Sequence, residues 1–159
     1  MVVLTLTGLR MKASGITSEG VDMHFLTKAK EDKKEVLFLE SIDNQLNLLA
    51  NMRDGNENNL VKKSLKELDE TDAMMDGLIS DWRNGEHKVM SKQITEMKKD
   101  YPKLYKDLLS NRNNNWMPII DNYLSTEKTE FVLMGALHLH GEEGILNQLK
   151  NKGYTLEQL

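Results

Sequence analysis

Glu40, Arg112 and His138 are the side chains whose types and placing could do chemistry. His138 lies in TEFVLMGALHLHGEEG (129–144), just behind the apolar run FVLM (131–134) and Gly135. Glu40 closes a similar run, VLFL (36–39), and Ser41 follows it. Short runs of this composition read as buried strands. In open α/β sheets the ligand crevice lies beyond the carboxyl ends of the strands. If both strands share one parallel sheet, the carboxylate and the imidazole emerge on the same rim, within roughly 10 Å of each other. Such a pair is a mixed donor set that Zn, Mn, Co or Fe accepts. Without a metal it can act as general base and electrophile. Each residue also has a plainer role. Glu40 can complement the positive end of the helix that Ser41 caps, and a loop histidine can simply bond to backbone. His140 is the weaker candidate, and His24 and His87 read as helix-surface histidines.

Arg112 continues the apolar stripe of Tyr105, Leu108 and Leu109, which resumes at Trp116, Ile119, Ile120 and Tyr123. A guanidinium interleaved with large apolar groups must be paired, because an unpaired buried charge costs several kcal/mol. It is either a structural partner of a carboxylate, or an arginine whose head reaches water, or a clamp for an anionic ligand. The spacing predicts a largely buried head held by acidic or carbonyl groups, with Glu40 one candidate.

The elements that would position these residues follow from punctuation and periodicity. The opening apolar segment, 2–9, reads weakly as a strand, and GITSEG (15–20) as a turn before a helix to about Lys30. After the strand at 36–39, Ser41 caps a helix that DGNENN (54–59) breaks. From Leu60 to about Lys99 the pattern is helical, with methionines inward and charges outward, and Asn84-Gly85 ends one helix within it. Residues 56–100 thus read as a helical cap, a soft Met-filled subdomain or a mobile grip on a flexible ligand. Pro102 opens a further helix, and Pro118 predicts a kink or restart near the Asn113–Asn115 run. Behind His138, Ile145, Leu146 and Leu149 form a helix closed by Gly153, and YTL (154–156) reads as a last strand. The fold expected is α/β and helix-rich: a small, mainly parallel sheet with flanking helices and that helical cap.

Composition narrows the function classes. The chain has 159 residues, one domain by length. Lys+Arg is 21 against Asp+Glu 25, a net charge of −4, and mild acidity argues against nucleic-acid binding by phosphate neutralisation. With no cysteine, thiolate nucleophiles, disulfides and Cys-based zinc sites are excluded. No apolar run approaches the ~20 residues that span a bilayer, and the compartment stays open. G-x-S-x-G, P-loop and H-E-x-x-H motifs are absent from the sequence.

Four stretches carry a resemblance: GVDMHFLTKAK (20–30), VLFLESIDNQ (36–45), LYKDLLSNRNNNW (104–116) and VLMGALHLHGEEGILNQLKNKGYTLEQL (132–159). They resemble the TraB/PrgY/GumN family, which includes the TIKI Wnt-inactivating proteases. The G-x-x-H signature stands at Gly135 to His138, with Gly141, Gly144, Gly153 and Tyr154 matching its continuation. The resemblance implies an EreA/ChaN-like fold and, for TIKI-type members, metal-dependent hydrolysis of peptide or protein substrates. Glu40 and His138 would then be metal ligands and catalytic residues, with Arg112 catalytic and Arg112–Asn113 the family's recurring RN pair. Mn, Co or Zn would be the metal, and haem is the less favoured cofactor. PrgY-type members, which block peptide pheromones, imply the alternative of a peptide-binding or regulatory module without turnover. ChaN-like folds allow haem or metal binding without hydrolysis. Family members usually carry an upstream half with its own G-x-x-H, so this chain reads as the C-terminal half of a larger domain. On that reading a metal site shared between halves is incomplete here, and an uncovered sheet edge makes the chain self-associate.

Overall fold

In the computed structural model, the described residues are 20–51 and 71–159, together with Gly8 and Lys12. Among them the chain is helical and contains no strand. The small parallel sheet expected from the sequence is therefore corrected. Residues 34–38 and 129–135 have no regular secondary structure and form no ladder among the described residues, and neither do those of the third expected strand, 154–156. Leu37, Phe38 and Phe131 are 61%, 76% and 70% exposed. The reason is general: an apolar β-branched run favours extended backbone, whereas a strand needs a partner to pair with. Apart from Gly8, which is helical, the expectations for 2–9, 15–19, 54–59 and 60–70 fall outside the described residues.

The chain divides into two compact units, Met1–Phe38 with Arg53–Asp76 and Leu39–Met52 with Gly77–Leu159. The first contains helix α1 (Val21–Glu31). Its C-terminus closes on Lys33, which takes a left-handed φ of 53°. The Lys33 and Lys34 amides turn back to the carbonyls of Lys30 and Ala29 at 3.1 and 2.8 Å, a Schellman closure with lysine where glycine is usual.

The second unit carries all three candidate residues. Ser41 Oγ accepts from the Asn44 amide at 3.2 Å and starts α2 (Ile42–Asn51), as an N-cap serine should. Helix α3 (Thr71–Asn84) reaches this unit from Gly77 onward. It stops at Gly85, where φ is +64° and the Glu86 amide returns to the Asp81 carbonyl at 2.8 Å. The Asp81 side chain, 4% exposed, then accepts from the Val89 amide at 2.7 Å and caps α4 (Lys88–Asp100). A short α5 (Pro102–Tyr105) runs through a widened π turn (Lys106–Ser110) into α6 (Asn111–Leu124). Helix continues through the Asn113–Asn115 run and Pro118. The irregularity expected there sits one turn earlier, in the π segment.

A 3-10 turn (Ala136–His138) and the loop 139–144 lead into α7 (Ile145–Asn151). Two apolar clusters hold these pieces. Trp116, Met117, Ile120 and Ile145 pack with Leu39, Met134 and Leu149. Ile94, Tyr105 and Leu109 pack with Met97, Leu108 and Leu137. Leu39 and Met134 are thus the anchors that bring Glu40 and the His138 turn to the same helix, α6.

Candidate functional site

Arg112 is the hub. Its Nε donates to Glu40 Oε2 at 3.0 Å and its Nη2 to Glu40 Oε1 at 2.7 Å, a two-point ion pair. Nη1 donates to the Leu108 carbonyl at 3.1 Å and lies 3.2 Å from His138 Nε2. The Arg112 side chain is 24% exposed and that of Glu40 only 10%. Trp116, one turn further on, supports the guanidinium with its ring at 4.7 Å and tilts against the His138 ring at 4.5 Å. Three segments far apart in sequence therefore meet on one planar cation, the geometry for which arginine is suited.

Asn113 settles the proton on His138. Its Nδ2 donates to two carbonyls, those of Glu143 at 2.8 Å and His138 at 3.2 Å. An amide nitrogen held by two acceptors leaves Oδ1 as the face turned to His138 Nδ1, 2.7 Å away. Nδ1 must then carry the hydrogen, and Nε2 presents its lone pair to Arg112. Asn113 is 2% exposed and His138 6%, so the arrangement is shut off from water on the Asn113 side.

Charge follows from these contacts. Burial, reinforced by the adjacent Arg112 charge and only partly opposed by Glu40, brings the His138 imidazole down to about 4. It is neutral near pH 7. Burial pushes the Glu40 carboxyl up, but hydrogen bonds from Arg112 and Gln45 and the Arg112 charge outweigh it and hold the group below its ordinary value. The Trp116 indole N–H adds a weaker pull without reaching hydrogen-bond geometry. Glu40 is ionised, His138 is neutral, and the positive charge between them belongs to Arg112.

Glu40, Arg112 and His138 are thus brought together, and the route is two irregular segments anchored on α6 by Leu39 and Met134 in place of a sheet rim. The other histidines lie elsewhere. His140 stacks flat on His87, ring centroids 4.4 Å apart and planes 8° from parallel, while His24 meets Phe25 edge-on. Sequence reasoning passed over Glu143, which supports the site from behind. Its carboxylate accepts from Ser110 Oγ at 3.0 Å and is held below its ordinary value, first by a hydrogen bond from the Tyr105 phenol. The available signal was a glutamate pair beside glycines, opposite a serine and a tyrosine on the helical stripe.

As donors, Glu40 and His138 are suited to a metal ion: an ionised carboxylate and a neutral imidazole whose second nitrogen is fixed by a neighbouring amide. They fit as a two-donor set. Among the described residues no three His, Cys, Asp or Glu side chains gather as a metal cluster. No helix among the described residues is long and apolar enough to cross a membrane.

The model of the TraB/PrgY/gumN family matches residues 1–158. No curated protein and no solved structure matches the chain.

Proposed function

This chain belongs to the TraB/PrgY/gumN family, and on that premise we propose that it is a metal-assisted hydrolase acting on peptide or protein substrates. One observation carries the reading: both oxygens of Glu40 and Nε2 of His138 converge on a single positive group, the Arg112 guanidinium. Glu40 and His138 are the residues that would hold a divalent ion, which when bound supplies Lewis acidity toward a substrate carbonyl. Asn113 keeps the His138 proton on Nδ1 and so leaves Nε2 unprotonated, its lone pair turned to Arg112. Glu40 brings a full negative charge, and Arg112 holds both groups in register. The substrate class rests on the likeness of the G-x-x-H stretch to TIKI-type members.

A second reading, a peptide-binding module without turnover, draws support from a different feature. Both Glu40 oxygens and both His138 ring nitrogens already have partners within the chain, so no base stands idle for proton transfer. Incubating the protein with a library of unstructured peptides and Mn²⁺ or Co²⁺, and reading products by mass spectrometry, separates the two. Cleavage that disappears in Glu40→Gln and His138→Gln supports the hydrolase. Peptide retention without cleavage supports the binding module and sinks the hydrolase.

A further inference from the structure

We propose that Arg112 is a built-in competitor for the metal site, a cationic side chain that a divalent ion must displace before Glu40 and His138 can receive it. The inference rests on the metal-assisted reading above and concerns how that site is controlled.

The contacts are exclusive. The donor atoms a metal ion would take are the two Glu40 oxygens and His138 Nε2, and each already faces an Arg112 nitrogen, at 3.0, 2.7 and 3.2 Å. A second positive charge placed among the same atoms would lie a few ångströms from the guanidinium in a partly buried site, where like charges repel strongly. The site therefore holds one cation at a time. Arginine cannot vacate by losing its proton, because its charge persists throughout the accessible pH range. It must move.

The surroundings permit that movement. Arg112 keeps 24% of its side chain exposed, more than twice the 10% of its partner Glu40, so it is the less enclosed member of the pair. Its remaining ties, to the Leu108 carbonyl one turn back and to the Trp116 ring one turn on, both belong to its own helical stretch. His138 and Asn113 need not rearrange, since their mutual bond does not involve Arg112. Metal affinity and the Glu40–Arg112 pair are then thermodynamically linked: whatever strengthens one weakens the other.

The test is titration of Co²⁺ into the whole protein by calorimetry, comparing the wild type with Arg112→Met and Arg112→Lys, each with and without His138→Gln. Arg112→Met is expected to bind Co²⁺ tighter by about tenfold or more, with Arg112→Lys in between, and His138→Gln removes the gain. Equal affinity in wild type and Arg112→Met, with both sensitive to His138→Gln, overturns the competitor role and leaves the metal site standing. Binding insensitive to His138→Gln in every protein overturns the metal site itself. If Arg112→Met fails to fold, the wild type answers alone. On adding Zn²⁺, the Arg112 Nε–H resonance should move toward the position of a solvent-exposed arginine as the His138 ring signals shift. A His138 shift with Arg112 unmoved overturns the proposal.

Discussion

Asn113 Oδ1 lies 2.7 Å from His138 Nδ1, and that contact decides which ring nitrogen carries the proton. The decision is made by backbone, because the amide nitrogen of Asn113 is committed to the carbonyls of Glu143 and His138. Asn113→Ala would leave the His138 carbonyl and the His138 imidazole N–H unpaired at a position that is 2% exposed, while the Glu143 carbonyl keeps its bond from Gln148 Nε2 at 3.0 Å. The expected loss is about 2–4 kcal/mol of folding stability, read by urea denaturation, since each orphaned buried group costs about 1–3 kcal/mol. A loss under about 0.5 kcal/mol, the range of ordinary surface substitutions, would show that water replaces the amide freely.

Protonation of His138 opposes folding. Its folded value of about 4 lies below that of an unfolded histidine, about 6.5. The stability that comes from keeping it neutral is fully present above about pH 6.5 and is lost as pH falls from there through 4. His140, also lowered, first by burial, contributes in the same direction. Titrating the His138 ring by NMR should give a midpoint near 4. A midpoint at or above 6 would mean that the ring is solvated.

Removing the guanidinium should hurt more than a surface ion pair would. Arg112→Met leaves the Glu40 carboxylate, 10% exposed, without its two-point partner. Fully buried pairs cost about 3–5 kcal/mol when broken. The partial exposure of Arg112 places the expected cost nearer 2–3 kcal/mol. An unchanged melting temperature contradicts the pairing.

Gly144 is required for space rather than for an unusual φ. A Cβ there would lie 2.4 Å from the His140 carbonyl oxygen and 2.6 Å from that of Leu139. Neither oxygen can yield without moving the loop whose Glu143 carbonyl holds Asn113. Gly144→Ala should cost about 2–4 kcal/mol, by analogy with other backbone-clash substitutions, and should shift the His138 ring resonances. A neutral substitution with those signals unmoved would show that the loop is pliable.

Apolar side chains left in water argue for self-association. Ile42 and Leu46, one turn apart on α2, are 76% and 58% exposed, and Trp82 is 67% exposed. Such groups mark a contact surface where they form one contiguous patch, whereas single exposed apolar residues are ordinary. Sedimentation velocity should show a dimer at micromolar concentration that Leu46→Glu weakens. A strictly monomeric wild type contradicts it.

The readable parts of the sequence were those set by local chemistry. Ser41, Asn84-Gly85 and Gly153 each specify a helix end within a few residues, and each end forms where they stand. Arg112 announced its pairing because a guanidinium on an apolar stripe has few ways to be satisfied, and Glu40 satisfies it. The sheet was misread because 36–39 and 131–134 specify backbone shape and burial of one anchor each, Leu39 and Met134. Nothing in such a run names the strand it would pair with. Pro118 misled for a related reason. Losing one backbone hydrogen bond bends a helix only where packing allows it, and here Trp116, Met117 and Ile120 are buried on both sides of the proline.

The π turn at Lys106–Ser110 acts as a phase setter. An ordinary helix advances about 100° per residue, so one extra residue taken up in that turn rotates everything downstream by about that angle. Arg112, Asn113 and Trp116 all lie downstream, and their bearings toward Glu40 and His138 are inherited from this one insertion. Deleting a single residue between 106 and 110 would therefore do more than shorten a helix. It would turn the guanidinium away from both partners at once while leaving every side chain of the site present in the sequence, so that an intact G-x-x-H and RN pair could accompany a dismantled site. For chains of this kind, the spacing between Pro102 and Arg112 carries as much information as the motif residues themselves.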